Sequence, residues 1–121
     1  ALKAIDVIIN EGLLDNVKSV SPYFLKRLNE FNEYEYIGET RGVGLMGALE
    51  MVKDKKTKTP FDPKLSMGDR VANESIFNGL ICRPLGPAIV LCPQFVITTK
   101  EIDTMFDMLH ETLKKSFKNI T

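Results

Sequence analysis

Apolar and polar positions alternate along this chain in two periods, one helical and one strand-like. Leu2, Ile5, Ile8 and Ile9 recur at helical spacing, which predicts a helix over 1–10 closed by Glu11-Gly12, with Gly12 as the left-handed residue past its end. Leu14, Val17, Val20, Phe24, Leu28 and Phe31 then form a stripe opposite Lys18, Lys26, Arg27 and Glu30, a second amphipathic helix. Pro22 interrupts it; because the stripe keeps its phase, one kinked helix fits better than a restart with Ser21 as N-cap. Tyr34–Ile37 is a short strand candidate. A further strand is expected from Val43 to Val52, apolar on both sides and therefore covered on both sides. Gly42, Gly44 and Gly47 at and within its start demand a bend, a bulge or close backbone approach.

Lys53–Pro63 is polar and closed by prolines, a loop. Lys64–Asn78 reads as a helix with Met67, Val71, Ser75 and Asn78 in line, ended by Gly79. Residues 80–92 hold two apolar runs around Pro84-Leu85-Gly86-Pro87, a β-hairpin, and Phe95–Ile97 is a further extended piece. Thr98 and Glu101 make a capping box for a last helix with Ile102, Phe106, Leu109, Leu113 and Phe117 in its stripe. The order is α-α-β-β-α-β-β-α. Short strands with tight turns predict an α+β fold: a small antiparallel sheet of three to four strands covered by helices, one domain over 1–121.

Composition narrows the function classes. Hydrophobic residues make up 44% of 121, enough for a core. Lysine plus arginine equals aspartate plus glutamate at 16 each, so no basic excess points to nucleic acid or a membrane surface. No apolar run approaches the ~20 residues of a spanning helix. Cys82 and Cys92 sit in apolar runs without a CxxC or histidine partner, so buried free thiols in a reducing cytoplasm are expected over a cross-strand disulfide. No metal-ligand constellation is visible. The chain opens at Ala1 already inside a helical pattern, which predicts a piece of something longer.

Candidate chemistry concentrates in the second hairpin. Arg83 is its one charged residue, at the end of the first arm. A guanidinium keeps its proton and must find an anion or water, so Arg83 either holds a substrate carboxylate or caps the hairpin into solvent. Arg41 reads as a surface salt-bridge partner before an anion ligand. The lysines of 53–58 read as a solvated loop, and His110 as a surface residue without a partner for base catalysis.

Residues Gly38-Glu39-Thr40-Arg41-Gly42-Val43-Gly44-Leu45-Met46-Gly47-Ala48-Leu49-Glu50-Met51-Val52 resemble the C-terminal signature of class III pyridoxal-phosphate-dependent aminotransferases. Arg83-Pro84-Leu85-Gly86, with Ile89–Pro93 and Phe95–Thr98, is similar to the end of the omega-amino-acid:pyruvate branch, and Glu11–Val17 also fits. The resemblance implies the small domain of a fold-type-I enzyme, in which the arginine matched by Arg83 acts as a mobile carboxylate clamp. It implies an amine or omega-amino acid donor, a 2-oxo acid such as pyruvate as acceptor, and a homodimer. Branches using alpha-amino acids or 4-aminobutyrate tend to carry an arginine in the second arm; here Ile89-Val90-Leu91-Cys92 is uncharged. Gln94 stands where many relatives have a second proline.

In that family the Schiff-base lysine, the aspartate on the ring nitrogen and the phosphate cup belong to the large domain. The resemblance thus implies no catalytic and no cofactor-binding residue within these 121, and an inactive isolated chain. Two other readings remain: a stand-alone amino-acid- or carboxylate-binding α+β module, and an oligomerising domain in which Arg83 is only a surface residue.

Overall fold

The computed structural model describes residues 1–118 and 120. Its elements run α1 (Leu2–Asn10), α2 (Leu13–Glu30), β1 (Ile37–Val43), β2 (Met46–Met51), α3 (Met67–Phe77), β3 (Arg83–Leu85), β4 (Ala88–Leu91) and α4 (Thr99–Lys118). This is the expected order and the expected α+β class. The four strands pair antiparallel in the order β1-β2-β4-β3, so the second hairpin joins the first through β4 against β2.

Helix ends follow the local chemistry. Gly12 takes φ +62° between α1 and α2, and Gly79 takes φ +84° after α3. Helix α2 continues through Pro22, and the Ser21 hydroxyl donates back to the Val17 carbonyl, as inside a helix. At α4 the capping box forms: the Thr98 N–H donates to the Glu101 carboxylate at 2.9 Å, and the Glu101 N–H donates to the Thr98 hydroxyl at 3.2 Å.

The core lies between the helices and one face of the sheet. Val20, Phe24, Leu28 and Phe31 meet Ile102, Phe106, Leu109 and Leu113 above Leu49, Met51, Ile89 and Leu91. Phe106 is tilted against Phe24 and Phe31, with ring centroids 5.3 and 5.6 Å away. Helix α2 comes close enough to β2 that a Cβ on Gly47 would lie 2.9 Å from Leu28 Cδ2 and 3.0 Å from the Phe24 ring.

Four sequence expectations are corrected. The strand candidates 34–37 and 43–52 are instead one hairpin of 37–43 and 46–51, turning at Gly44 with φ +59°; Tyr34–Tyr36 form the turn that leads in. Gly44 supplies the bend, while Gly42 and Gly47 supply the close approach to α2. The sheet is covered on one face only: Val43 and Met46 are exposed. Phe95–Ile97 is a turn rather than a strand, with the Ile97 N–H on the Gln94 carbonyl. Finally, α3 starts at Met67, after a 3-10 turn over Pro63–Leu65, because Ser66 sits in the left-handed region at φ 44°.

Candidate functional site

Register places the singled-out arginines. Arg41 pairs with Ala48, Ala48 with Val90, and Val90 with Arg83. Paired residues share a face, so the four form one row across the sheet, with about 14 Å between its ends at ~4.8 Å per strand. The neighbouring row is Glu39, Glu50, Ala88 and Leu85. Both lie on the face that the helices leave open.

The two ends of the row differ electrically. Arg41 Nη1 donates to Glu50 at 2.6 Å, the surface salt bridge expected for it. That carboxylate raises the Arg41 pKa further above its ordinary value. Arg83 has no ion pair and no side-chain hydrogen bond among the described residues and is exposed. It starts β3 rather than ending a strand, because Pro84 and Leu85 pair with Ile89 and Ala88 instead of turning. A cleft of about 470 Å³ wraps this sheet edge, with Arg83 at its rim and Ile81, Val90, Cys92 and Met105 among its walls. A lone fixed cation beside uncharged walls is suited to hold a carboxylate bidentately. Met105, from α4, escaped sequence reasoning because it lies beside the α4 core stripe and nothing marks it as lining a cleft.

Arg27 and His110 are tied into the fold. Arg27 bridges α2 and α4, paired with Glu30 at 3.1 Å, Asp107 at 3.0 Å and Asp103, over the Phe106 ring. Its carboxylates outweigh the cost of burial and hold its pKa above the ordinary range. His110 is not the lone surface residue expected. It stacks on Phe31 at 4.0 Å, Nδ1 lies 2.8 Å from the Tyr34 hydroxyl, and Nε2 lies 3.8 Å from Glu30. Burial first, then Arg27, hold its pKa below the ordinary value.

Both cysteines are free. Cys82 is half-buried with Sγ 3.2 Å from Ser75 Oγ, and burial pushes its thiol up; Cys92 is exposed, contrary to expectation, because it lies past the end of β4. No cluster of metal-ligating side chains occurs among the described residues. No helix among them is long and apolar enough to cross a membrane.

An imine-forming lysine needs shelter and a lowered pKa. Every lysine here is exposed, and Lys114 is pushed up by Glu111, the opposite direction.

The fold is thus a small α+β domain with a half-covered antiparallel sheet, and Arg83, without an ion pair among the described residues, lies at one edge of it. The family model described as aminotransferase class-III matches residues 1–113, and the chain belongs to that family. It is 36% identical over 116 residues to the adenosylmethionine-8-amino-7-oxononanoate aminotransferase of Methanocaldococcus jannaschii, covering 96% of this chain and 25% of that protein. It is 34% identical over 117 residues to the putrescine–pyruvate aminotransferase of Pseudomonas aeruginosa, again covering 96% and 25%. Its fold matches the PMP-bound form of an aminotransferase from Vibrio fluvialis with TM-score 0.95 and 52% identity, over 99% of this chain and 26% of that one. The chain thus spans about a quarter of the length of the relatives it matches.

Proposed function

We propose that this chain is the C-terminal small domain of a pyridoxal-phosphate-dependent aminotransferase, with Arg83 as the clamp for a substrate carboxylate. The full-length enzyme moves an amino group from an amine or omega-amino acid to a 2-oxo acid such as pyruvate. The observation that carries this reading is the unpaired Arg83 guanidinium on the open side of the sheet, beside Val90 and Cys92, which bear no charge. Pyruvate and omega-amino acids present a carboxylate for it; a simple amine does not, and leaves the guanidinium in water. The cofactor, when bound by the large domain, supplies the imine and the electron sink. This chain's residues bind and orient the acid and help exclude water.

Exposed apolar side chains support a large-domain neighbour. None of the residues of α1 is buried, and Leu2, Ile9, Leu14, Val43 and Met46 are all more than half exposed. Such a surface on a domain of this size calls for a covering partner, which disfavours the stand-alone module. A homodimer and a reducing cytoplasm, suited to two free thiols, complete the reading.

The test is Arg83→Ala in the full-length enzyme, assayed with pyruvate and with propanal, an acceptor of equal length lacking the carboxylate. Truncating one partner of a desolvated charge pair costs about 2–5 kcal/mol, so kcat/KM for pyruvate should fall by ~30-fold or more, while propanal changes by less than ~3-fold. Equal losses on both acceptors refute the clamp. The isolated chain should give no stoichiometric imine band with pyridoxal phosphate; a defined single site would refute the domain assignment.

A further inference from the structure

The hairpin that carries Arg83 is gripped at two points by one face of α3. At its tip, Gly68 is buried and packs directly on the turn. A Cβ there would run into the Gly86 carbonyl oxygen, far inside contact distance, and would lie 3.3 Å from Pro84 Cβ. The obstacle is backbone, so it cannot swing away as a side chain can. At its base, Ser75 is fully buried. Its carbonyl accepts from the Leu80 N–H at 2.9 Å. Its hydroxyl donates to the Ala72 carbonyl at 2.7 Å, which leaves the oxygen to accept from the Cys82 thiol at 3.2 Å. Residues 68 and 75 are seven apart, two turns on one helix face and about 10 Å along the axis. Cys82 and Gly86 bracket Arg83, Pro84 and Leu85 over a similar length of strand. From the sheet side, the Met51 N–H holds the Pro87 carbonyl at 3.0 Å.

We infer that Gly68 and Ser75 are positioning residues for Arg83: α3 fixes the backbone of β3 so that only the Arg83 side chain moves. This rests on the clamp reading above and deepens it. A guanidinium on a fixed stem meets a carboxylate without first ordering a loop, and a displacement of about 1 Å at such a contact costs up to 10²-fold. Glycine is a poor residue for the first turn of a helix. The close approach of the Gly86 carbonyl explains its presence at 68.

The experiment uses the full-length enzyme with Gly68→Ala, Ser75→Ala and Arg83→Ala, and with each α3 change combined with Arg83→Ala. KM and kcat are measured for pyruvate and for propanal. Gly68→Ala should raise KM for pyruvate about tenfold and Ser75→Ala about threefold, with the propanal constants moved less than twofold. In the Arg83→Ala background neither α3 change should have a further selective effect, because the group they position is gone. Should Gly68→Ala fail to fold, Ser75→Ala and its double variant decide the matter. The inference is overturned if Arg83→Ala discriminates between the acceptors while the α3 variants affect both equally or neither. It also fails if the α3 effects on pyruvate persist undiminished without Arg83. If Arg83→Ala itself shows no discrimination, the clamp falls and takes the inference with it.

Discussion

Adding one methyl group at Gly47 tests the packing of α2 on the first hairpin. Gly47 lies in β2 with an ordinary strand backbone, so alanine is allowed there and by itself removes chain entropy from the unfolded state, a gain of about 0.4–1 kcal/mol. Space decides the sign. The new Cβ would meet Leu28 Cδ2 at 2.9 Å and two Phe24 ring atoms at 3.0 and 3.1 Å. Both side chains are fully buried, and Phe24 is held in turn by Phe106, so neither has a free direction to retreat. Overpacking of this kind costs about 1–3 kcal/mol, and with contacts this short at two fully buried side chains the upper half of that range applies, leaving a net loss of about 1–2 kcal/mol. With an unfolding entropy of ~2.1 cal/mol/K per residue, that is a melting temperature lower by about 4–8 °C. Thermal and urea denaturation of the chain measure it. Leu28→Val removes a terminal carbon from that contact, so the double variant should lose less than the sum of the two single losses. A Gly47→Ala chain as stable as the parent, or strict additivity with Leu28→Val, refutes the packing argument.

His110 predicts a stability change in a pH range where it is the sole histidine. Its folded pKa lies below the ordinary 6.5, so the unfolded chain binds the proton more readily. Stability is complete above that value and falls as pH drops below it, reaching its floor once the folded pKa is passed. Melting temperature should decline from pH 7.5 to 5, and His110→Phe, which keeps the stack on Phe31, should flatten that decline. Thr98→Ala removes the N-cap of α4 and should cost about 1 kcal/mol in urea denaturation. The exposed Cys92 should react with a thiol reagent well before Cys82, whose half-buried thiol is pushed up by burial and should react slowly until the chain is unfolded, as counted by absorbance.

What could be read from residues alone was whatever local chemistry settles. The α4 cap, the left-handed Gly12, the passage through Pro22 and the order of elements all depend on neighbours within a turn or two. The first hairpin was displaced because Gly42, Gly44 and Gly47 are three possible bends, and only the packing of α2 decides which one turns. His110 was misjudged because its partners, Phe31 and Tyr34, lie on another element 76 or more positions away. Arg83 was visible as an odd charge in an apolar run. That it lies in a row with Ala48, Val90 and Arg41 needed the β2–β4 register, a long-range pairing with no local signal. Gly68 carried a hint, a glycine in the first turn of a helix, yet the turn it abuts is defined only by the fold.

The two outer strands set how this domain can associate. On one side β3 has only three residues, the charged Arg83, then Pro84 without an N–H, then Leu85. On the other, β1 has a register shift between Ile37 and Glu39 and carries Glu39 and Arg41. Short length, proline, irregularity and charge all discourage a foreign strand from extending a sheet. Growth sideways into a ribbon of stacked copies is therefore disfavoured at both margins, which leaves the bare β-surface and the outer flank of the first helix as the broad apolar faces open to a neighbour.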